Sequence, residues 1–149
     1  MTALDAKKYL RQVSKLNKLI ENKMIEREQW KSMATSTGTI SDSERVQSSG
    51  SQQKMADAVG RYIDLEIEIA RCIDAYVDAK QEVIQTIEQL PEVEYDILHK
   101  RYIQGKELDE IATIYNKSYS WITSAHGRAV RMVQNILDGK GENDGKTDK

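Results

Sequence analysis

The 149-residue chain has one proline, eight glycines and no phenylalanine. Because proline and glycine disfavour the interior of a helix, their scarcity favours long helices over a sheet-rich fold. No apolar run approaches the roughly 20 residues that span a bilayer as a helix, which excludes a membrane-spanning protein. The first residues show no apolar signal-peptide core, and we therefore expect a protein of the cytoplasm.

Reactive side chains are equally scarce, since the chain has one cysteine, Cys72, and two histidines. A single cysteine cannot form a disulfide within the chain, and no Cys/His spacing is typical of a zinc site. The sequence also has no glycine-rich phosphate loop and no nucleophile–base set. We therefore expect no enzymatic activity, no catalytic or metal-binding residue and no cofactor.

Basic and acidic residues nearly cancel, at 22 against 24, and the formal net charge is −2. This balance argues against a protein that is basic throughout, but the charges are unevenly distributed. Residues 1–34 hold eight bases and four acids, whereas residues 53–90 hold four bases and eight acids. The resulting net charges of +4 and −4 favour pairing of these two segments with each other over ligand binding.

Both charged segments also have the apolar spacing of amphipathic helices, with steps of three and four residues. Two long helices of opposite charge, each with an apolar face, predict an antiparallel hairpin or a dimeric bundle with coiled-coil-like packing. The predicted faces comprise Tyr9, Val13, Leu16, Ile20, Met24 and Trp30 in the first helix, and Met55, Val59, Tyr62, Ile63, Ile69, Ile73, Tyr76, Val77, Val83, Ile84 and Ile87 in the second.

Residues 35–52 are rich in serine, threonine and glycine and are predicted to form a flexible, non-helical loop. This loop is far longer than the roughly 2–8 residues usual between bundle helices, which is typical of a disordered or a functional segment. In the functional case, its guanidinium, hydroxyls and backbone donors would bind a protein partner or an anion. The candidate partner-binding residues are Arg45, Gln47, Ser48 and Ser49. Residues 139–149 are polar and glycine-rich, and a disordered tail is expected there.

The last third of the sequence has the start and stop signals of three short helices. Pro91 suits the start of the first helix and Gly105 its end. A second helix is predicted over Leu108–Tyr115, and Asn116 after it tolerates left-handed backbone geometry. Ser118 suits the N-cap of a third helix, and together these signals predict a helix-turn-helix. The third helix is predicted over residues 119–137, with an inward stripe of Ile122, Ala125, Ala129, Val133 and Ile136.

The residues of this segment follow the order of a known promoter-reading module. Leu90-Pro91 is followed by Arg101-Tyr102-Ile103-x-Gly105 and then by Leu108-Asp109-Glu110-Ile111-Ala112. This order resembles region four of sigma-seventy-type factors, in which a Leu-Pro start precedes an RYxxG segment, an LxEIA scaffold helix and the recognition helix. The resemblance covers about residues 90–137, and it implies a helix-turn-helix that binds promoter DNA.

A wider resemblance extends over nearly the whole chain. A long N-terminal helix is followed by Glu44-Arg45-Val46-Gln47-Ser48-Ser49-Gly50, by Met55-Ala56-Asp57-Ala58-Val59 and by His126-Gly127-Arg128-Ala129. In this respect the chain is similar to a phage-encoded family, a domain of unknown function related to the ArpU-like and RinA-like activators of late genes. The resemblance implies a transcription regulator in the cytoplasm of a bacterial host, with double-stranded DNA and host RNA polymerase as partners.

In helix-turn-helix docking, residues near the N-terminus of the recognition helix meet base edges in the major groove. Here these side chains are hydroxyls and aromatics, whereas arginine, lysine, asparagine and glutamine are the usual base readers. Nearby basic residues are expected to contact phosphates, which set register but not sequence. The candidate DNA-binding residues are Tyr119, Ser120, Trp121, Thr123 and Ser124 for bases and Lys117, Arg128 and Arg131 for phosphates, with Lys106 and His126 as further basic candidates.

We therefore predict an all-α protein in which residues 1–90 form an oligomerising helical hairpin and residues 91–138 form a sigma-region-four-like helix-turn-helix domain. The leading function is a phage late-gene regulator that binds promoter DNA, host RNA polymerase or both, as a homo-oligomer. Two alternatives remain open. One is a small terminase-like DNA-packaging subunit, and the other is a protein–protein interaction module without DNA binding.

Overall fold

The computed structural model describes residues 5–38 and 48–139, with side chains for residues 5–35 and 50–139. Regular structure in these ranges is entirely helical, which confirms the predicted all-α class. The helices are α1 (Ala6–Gly38), α2 (Ser48–Ile87), α3 (Glu92–Leu98), α4 (Leu108–Tyr115) and α5 (Tyr119–Leu137), with one π-helical turn, His99–Ile103, directly after α3. None of the described helices has the length and hydrophobicity needed to cross a bilayer.

The two long helices α1 and α2 form an antiparallel hairpin, the first of the two predicted arrangements. Lys23 in α1 forms a 2.8 Å ion pair with Glu68 in α2, and Arg27, one turn later, lies 3.6 Å from Glu66. A later residue of α1 therefore contacts an earlier residue of α2, as expected for two antiparallel helices. The hydrogen bond between Lys23 and Glu68 raises the pKa of the lysine and lowers that of the glutamate. These contacts confirm that the opposite charges of the two segments pair with each other.

Both long helices extend into the segment predicted as a loop. α1 continues to Gly38 and α2 begins at Ser48, so the prediction of non-helical structure is wrong at both ends of residues 35–52. A helix that is already nucleated propagates through serine and threonine at a small cost per residue. At the end of α1, the Thr35 hydroxyl also donates a 2.6 Å hydrogen bond to the Lys31 carbonyl one turn earlier.

Several predicted features fall on residues without a description. Arg45 and Gln47, which are candidate partner-binding residues, lie outside the described residues, as do residues 140–149 of the predicted tail. Ser48 and Ser49 belong to the first turn of α2, but their side chains also lie outside the described set.

The chain divides into two compact units, and both long helices contribute to each. The hairpin unit comprises Leu16–Ala75, and the core unit comprises the described parts of Met1–Lys15 and Tyr76–Lys149. The division therefore lies within α1 and α2 and not at Pro91, where the sequence pattern changes. The physical reason is an apolar core that the start of α1 and the end of α2 share with the C-terminal helices.

This core is the larger of two apolar clusters in the core unit. Its buried members are Ala6, Tyr9, Leu10, Val13, Val83, Ile87, Leu90, Leu98, Tyr102, Ala129 and Val133. Polar contacts add to the packing, since a 2.8 Å hydrogen bond joins the Tyr9 and Thr86 hydroxyls. The Ala6 amide donates a 2.9 Å hydrogen bond to Oε1 of Gln134. The start of α1 is therefore held to both α2 and α5.

The second cluster holds the helix-turn-helix together. Its buried members are Ile97, Ile111, Ala112, Ile122 and Ala125, from α3, α4 and α5. Alanines at the packing positions of α4 and α5 let the two helix backbones approach each other closely. The predicted inward stripe of α5 is confirmed for Ile122, Ala125, Ala129 and Val133, which are all buried. Its last member, Ile136, is half-buried against the first cluster.

The predicted apolar faces of the long helices are only partly buried. The prediction holds for residues on the hairpin side of each helix, including Ile20 and Ile69. It is wrong for Met24 of the α1 face, which lies exposed, and for four exposed members of the α2 face: Val59, Ile63, Ile73 and Val77. α2 has apolar residues around much of its circumference, and two packed helices can cover only one side of it.

Candidate nucleic-acid interface

The turn between α4 and α5 is set by two residues with local roles. Asn116 has a left-handed backbone with φ of 55°, which asparagine adopts more readily than most residues. Ser118 then caps α5, because its hydroxyl accepts a 3.0 Å hydrogen bond from the Trp121 amide. Both roles and both helix bounds agree with the sequence-based prediction.

The start of α4 is fixed by a side chain within the helix itself. The Glu107 amide donates a 3.0 Å hydrogen bond to the Glu110 carboxylate, which satisfies one backbone donor that the helix leaves free. Before it, Gly105 has φ of 78° and ends the preceding helical segment as predicted.

Asp96 ties α3 to the end of α4. Its carboxylate accepts hydrogen bonds from the Tyr115 hydroxyl and from Lys100, the latter at 2.9 Å. Burial raises the pKa of Asp96, but these two hydrogen bonds outweigh that effect and the net pKa lies below its ordinary value. Burial and the bond to Asp96 both raise the pKa of Tyr115. The scaffold helix is therefore anchored by a charge-assisted hydrogen bond as well as by apolar packing.

The side of α5 opposite its buried stripe carries mostly small residues. Ser120, Ser124, Gly127 and Arg131 follow one another at steps of three and four, and we call them the outward α5 face. Ser120, Ser124 and Arg131 are exposed. A Cβ atom added to Gly127 would lie 3.8 Å from the Arg131 guanidinium, so this side chain folds back over the glycine. The backbone of α5 is therefore accessible along this face, with one cation at its far end.

Two aromatic residues flank the start of the outward α5 face. The Tyr119 side chain is 57% exposed and that of Trp121 is 36% exposed. The Trp121 ring lies 5.9 Å from the ring of Tyr115, and the Lys117 ammonium lies 5.1 Å from the Trp121 ring centre. Lys117 is therefore held against an aromatic face, which shields part of the cation that was predicted to contact phosphate.

Thr123 is less available than the other predicted base readers. Its side chain is only half-exposed, and its hydroxyl donates a 3.0 Å hydrogen bond to the Ser120 carbonyl. Its methyl group is the part that remains suited to a contact with a thymine methyl.

Arg128 makes a structural contact that sequence reasoning missed. Its Nε donates a 2.8 Å hydrogen bond to Oε2 of Glu94, which is a buried carboxylate in α3. The Arg128 side chain is 46% exposed, so the pair lies at the edge of the packed helices. Because Glu94 and Arg128 are far apart in sequence, no local pattern signals the pair. Arg128 therefore neutralises a buried charge, and this role competes with the predicted phosphate contact.

His126 is unsuited to the cationic role considered for it. A 2.8 Å hydrogen bond joins its Nε2 to the Tyr102 hydroxyl, and the two rings stack at 5.7 Å. Burial, together with nearby positive charges, lowers the pKa of His126 to about 4. The imidazole is therefore neutral near pH 7, and its contribution is to the packing between the π-helical turn and α5.

The comparison with protein families bears on this same part of the chain. The family model described as sigma-70, region 4 matches residues 86–135. This segment of the chain is therefore similar to sigma-70 region 4. The match begins at the end of α2 and includes α3, α4 and most of α5, in agreement with the resemblance of the Leu-Pro, RYxxG and LxEIA motifs. Neither the curated proteins nor the solved structures give a significant match to the chain.

Proposed function

We propose that the protein is a transcription regulator that binds duplex DNA through α5. The observation that carries the proposal is the outward α5 face, an exposed helix side on a helix-turn-helix whose turn, cap and core are all formed. The similarity of residues 86–135 to sigma-70 region 4 supports the same function, because that module binds DNA as a helix-turn-helix.

The dimensions of the two partners favour docking along this face. The major groove of B-DNA is about 12 Å wide, and a helix with its side chains is about 10–12 Å across. Serine and glycine on the outward side let α5 enter deeply. Ser120 and Ser124 would then offer hydroxyls to base edges, while the exposed Tyr119 ring would contact a thymine methyl or the sugar-phosphate wall.

The charge on this surface is small. Residues 118–137 contain two basic residues and no acidic residue. One of these, Arg128, is paired with Glu94, whereas Arg131 has no ion pair within the described part of the chain. Each phosphate contact adds a little less than one unit to the salt dependence of binding, so this surface supports weak binding on its own.

Weak binding by one copy fits a regulator that acts with other proteins. We propose that the chain is a phage late-gene regulator that works as a homo-oligomer in the bacterial cytoplasm and contacts host RNA polymerase. The support is the similarity to a module of a polymerase-associated factor, together with the small phosphate-binding surface.

Fluorescence anisotropy with labelled duplexes selected from a randomised pool tests the DNA contact. Replacing Ser124 with glutamate places a negative charge on the outward α5 face, and we expect at least about a tenfold rise in Kd. Replacing Arg131 with alanine removes one phosphate contact, and the slope of log K against log salt should fall by about one.

Two control variants separate this effect from a general change of charge. Ser14→Glu makes the same change at an exposed serine in α1, and Lys54→Ala removes a cation from the start of α2. Both should bind DNA like the wild type. If Ser124→Glu and Arg131→Ala bind with unchanged affinity and salt slope, α5 is not the DNA-binding element.

One observation favours an interaction module as a second candidate. Arg128 and Lys117, two of the three predicted phosphate contacts, already contact Glu94 and Trp121. An absence of DNA binding at low salt, with retention of RNA polymerase in a pull-down, would support this candidate. A large closed ring that stimulates a packaging ATPase would instead identify the terminase-like alternative.

A further inference from the structure

α2 carries a second apolar side that the hairpin does not cover. Ala56, Gly60, Ile63, Ile67 and Ala70 follow one another at alternating steps of four and three, which is the spacing of a coiled-coil seam. We call these five residues the outer α2 face, and all of them are exposed. Its two central side chains, Ile63 and Ile67, are 50% and 49% exposed. The flanking residues Val59 and Ile73 are exposed as well.

Gly60 lies in the interior of α2, where glycine is less favourable than alanine. No atom lies within 4 Å of the position that its Cβ would occupy. The described part of the chain therefore does not need a glycine at this position for its own packing. A second helix that approaches the outer α2 face closely would use the space.

Two exposed charges lie beside this face. Asp64 and Arg71 lie on the same edge, seven residues and roughly 10 Å apart along the helix axis. This separation is too long for a direct ion pair between them. Neither residue makes an ion pair or a hydrogen bond within the described part of the chain.

We propose that the outer α2 face binds the same face of a second copy of the chain, with the two α2 helices antiparallel. In this register Ile63 of each copy packs against Ile67 of the other, and Gly60 packs against Ala70. The same register brings Asp64 of each copy to Arg71 of the other, which forms two equivalent ion pairs. It also places Val59 of each copy against Ile73 of the other. Each of the four exposed apolar residues Val59, Ile63, Ile67 and Ile73 therefore gains an apolar neighbour.

Self-complementarity is the reason for choosing a second copy as the occupant. One two-fold axis satisfies small residue against small residue and isoleucine against isoleucine. On one edge of the face it also sets Asp64 against Arg71, and it sets Asp57 against Asp78 farther from the axis. A parallel pairing in register would put Asp74 against Asp74 and would leave Val59 beside Asp64.

The other edge of the face carries one acidic residue. In the antiparallel register Glu66 of each copy faces Glu66 of the other. Each Glu66 has the Arg27 guanidinium of its own chain 3.6 Å away. These contacts offset the repulsion between the two carboxylates.

This pairing rests on the homo-oligomer of the proposed function but not on its DNA contact. A charge-exchange experiment without DNA tests it, with dimer Kd measured by analytical ultracentrifugation of the full chain. Asp64→Arg alone and Arg71→Asp alone each create two like-charge pairs, and each should raise the dimer Kd by about tenfold or more. An equimolar mixture of the two variants restores both ion pairs, and it should form a heterodimer nearly as tight as the wild-type dimer.

Glu26→Arg and Lys18→Glu make matched charge reversals at exposed positions of α1, and the dimer Kd should be unchanged in both. A wild-type chain that stays monomeric at high concentration would overturn the proposal. So would a dimer that survives both single variants, or a mixture that fails to recover. DNA binding is measured separately, so that failure of the pairing and failure of the proposed function remain distinguishable.

Discussion

The core unit and the hairpin unit bury their apolar side chains to very different extents. Among the described residues, the buried hydrophobic side chains of the hairpin unit are Ile20, Ala58, Leu65 and Ile69, and all the others belong to the core unit. The hairpin unit also holds most of the exposed large hydrophobic residues, which are Leu19, Met24, Ile25, Met33, Val59, Ile63, Ile67 and Ile73.

The difference shows how the same all-helical chain forms one closely packed unit and one open unit. In the core unit, α3, α4 and α5 pack on each other and on the long helices, which holds α5 in place and exposes one side of it. In the hairpin unit, two helices cover only one side of each other and leave large apolar side chains exposed. Substitutions in the two units should therefore affect different measurements.

The largest contrast is expected for isoleucine truncation. Ile122→Ala leaves a cavity at a fully buried position of the core unit, and the free energy of unfolding should fall by about 2–5 kcal/mol. Ile63→Ala makes the same change at a half-exposed position of the hairpin unit. Under conditions where the chain is monomeric, it should change that free energy by about 0.5 kcal/mol or less. Urea denaturation followed by circular dichroism measures both, and equal losses would contradict the division into a packed and an open unit.

The ion pairs of the two units should also differ. Arg128→Met leaves the buried Glu94 carboxylate without its partner, and we expect a loss of about 1–3 kcal/mol in unfolding free energy. Lys23→Met removes a partner of the half-exposed Glu68 in the hairpin unit, and little change is expected because solvent screens such pairs. Adding Glu94→Gln to Arg128→Met removes the unpaired charge and should recover part of the loss. If Lys23→Met lowers the free energy of unfolding as much as Arg128→Met does, the two units do not differ in this respect.

A pH dependence should arise from His126 in the core unit. Burial lowers the folded-state pKa of this residue to about 4 from an ordinary value of 6.5, so the unfolded chain binds a proton first as the pH falls. Stability should therefore decrease from pH 6.5 down to pH 4, by about 1–2 kcal/mol after allowance for solvent screening. His126→Gln should flatten this part of the thermal melting profile. An unchanged profile in the variant would assign the pH dependence to other groups.

The smallest effect concerns the cap of α5. Ser118→Ala removes the hydroxyl that accepts from the Trp121 amide, and it should lower the free energy of unfolding by about 1 kcal/mol. Ser124→Ala is the matched control, because this serine is exposed in the helix and caps nothing. Chemical denaturation of the two variants should separate them. Equal stabilities would mean that the cap does not hold the start of α5.

Much of the helix-turn-helix could be predicted from sequence, because its boundaries depend on local chemistry. Asn116 and Gly105 adopt left-handed backbone geometry, and Ser118 caps the next helix, so each signals its role without knowledge of the fold. The inward stripe of α5 followed from helical periodicity in the same way. Among the candidate site residues, Ser120 and Ser124 lie on the outward side of α5, as expected for residues at those positions.

The features that sequence reasoning missed depend on contacts between distant residues. Periodicity placed Ile63 on an apolar face of α2, but it could not show that the single partner helix α1 covers the opposite side. The Arg128–Glu94 pair and the neutral state of His126 likewise require knowledge of which helices pack together. For the same reason the opposite net charges of the two long segments predicted their pairing, but not which individual ion pairs would form.

The most direct test of the central claim is photo-crosslinking from the outward α5 face. A photo-reactive amino acid replaces Ser120 in one variant and Lys54, in the hairpin unit, in another, and each is mixed with labelled duplex DNA and irradiated. The account predicts crosslinks to DNA from position 120, which competitor duplex removes, and none from position 54. Crosslinks from position 54 alone, or from neither position under conditions where the wild type binds DNA, would contradict the assignment of α5 as the DNA-binding helix.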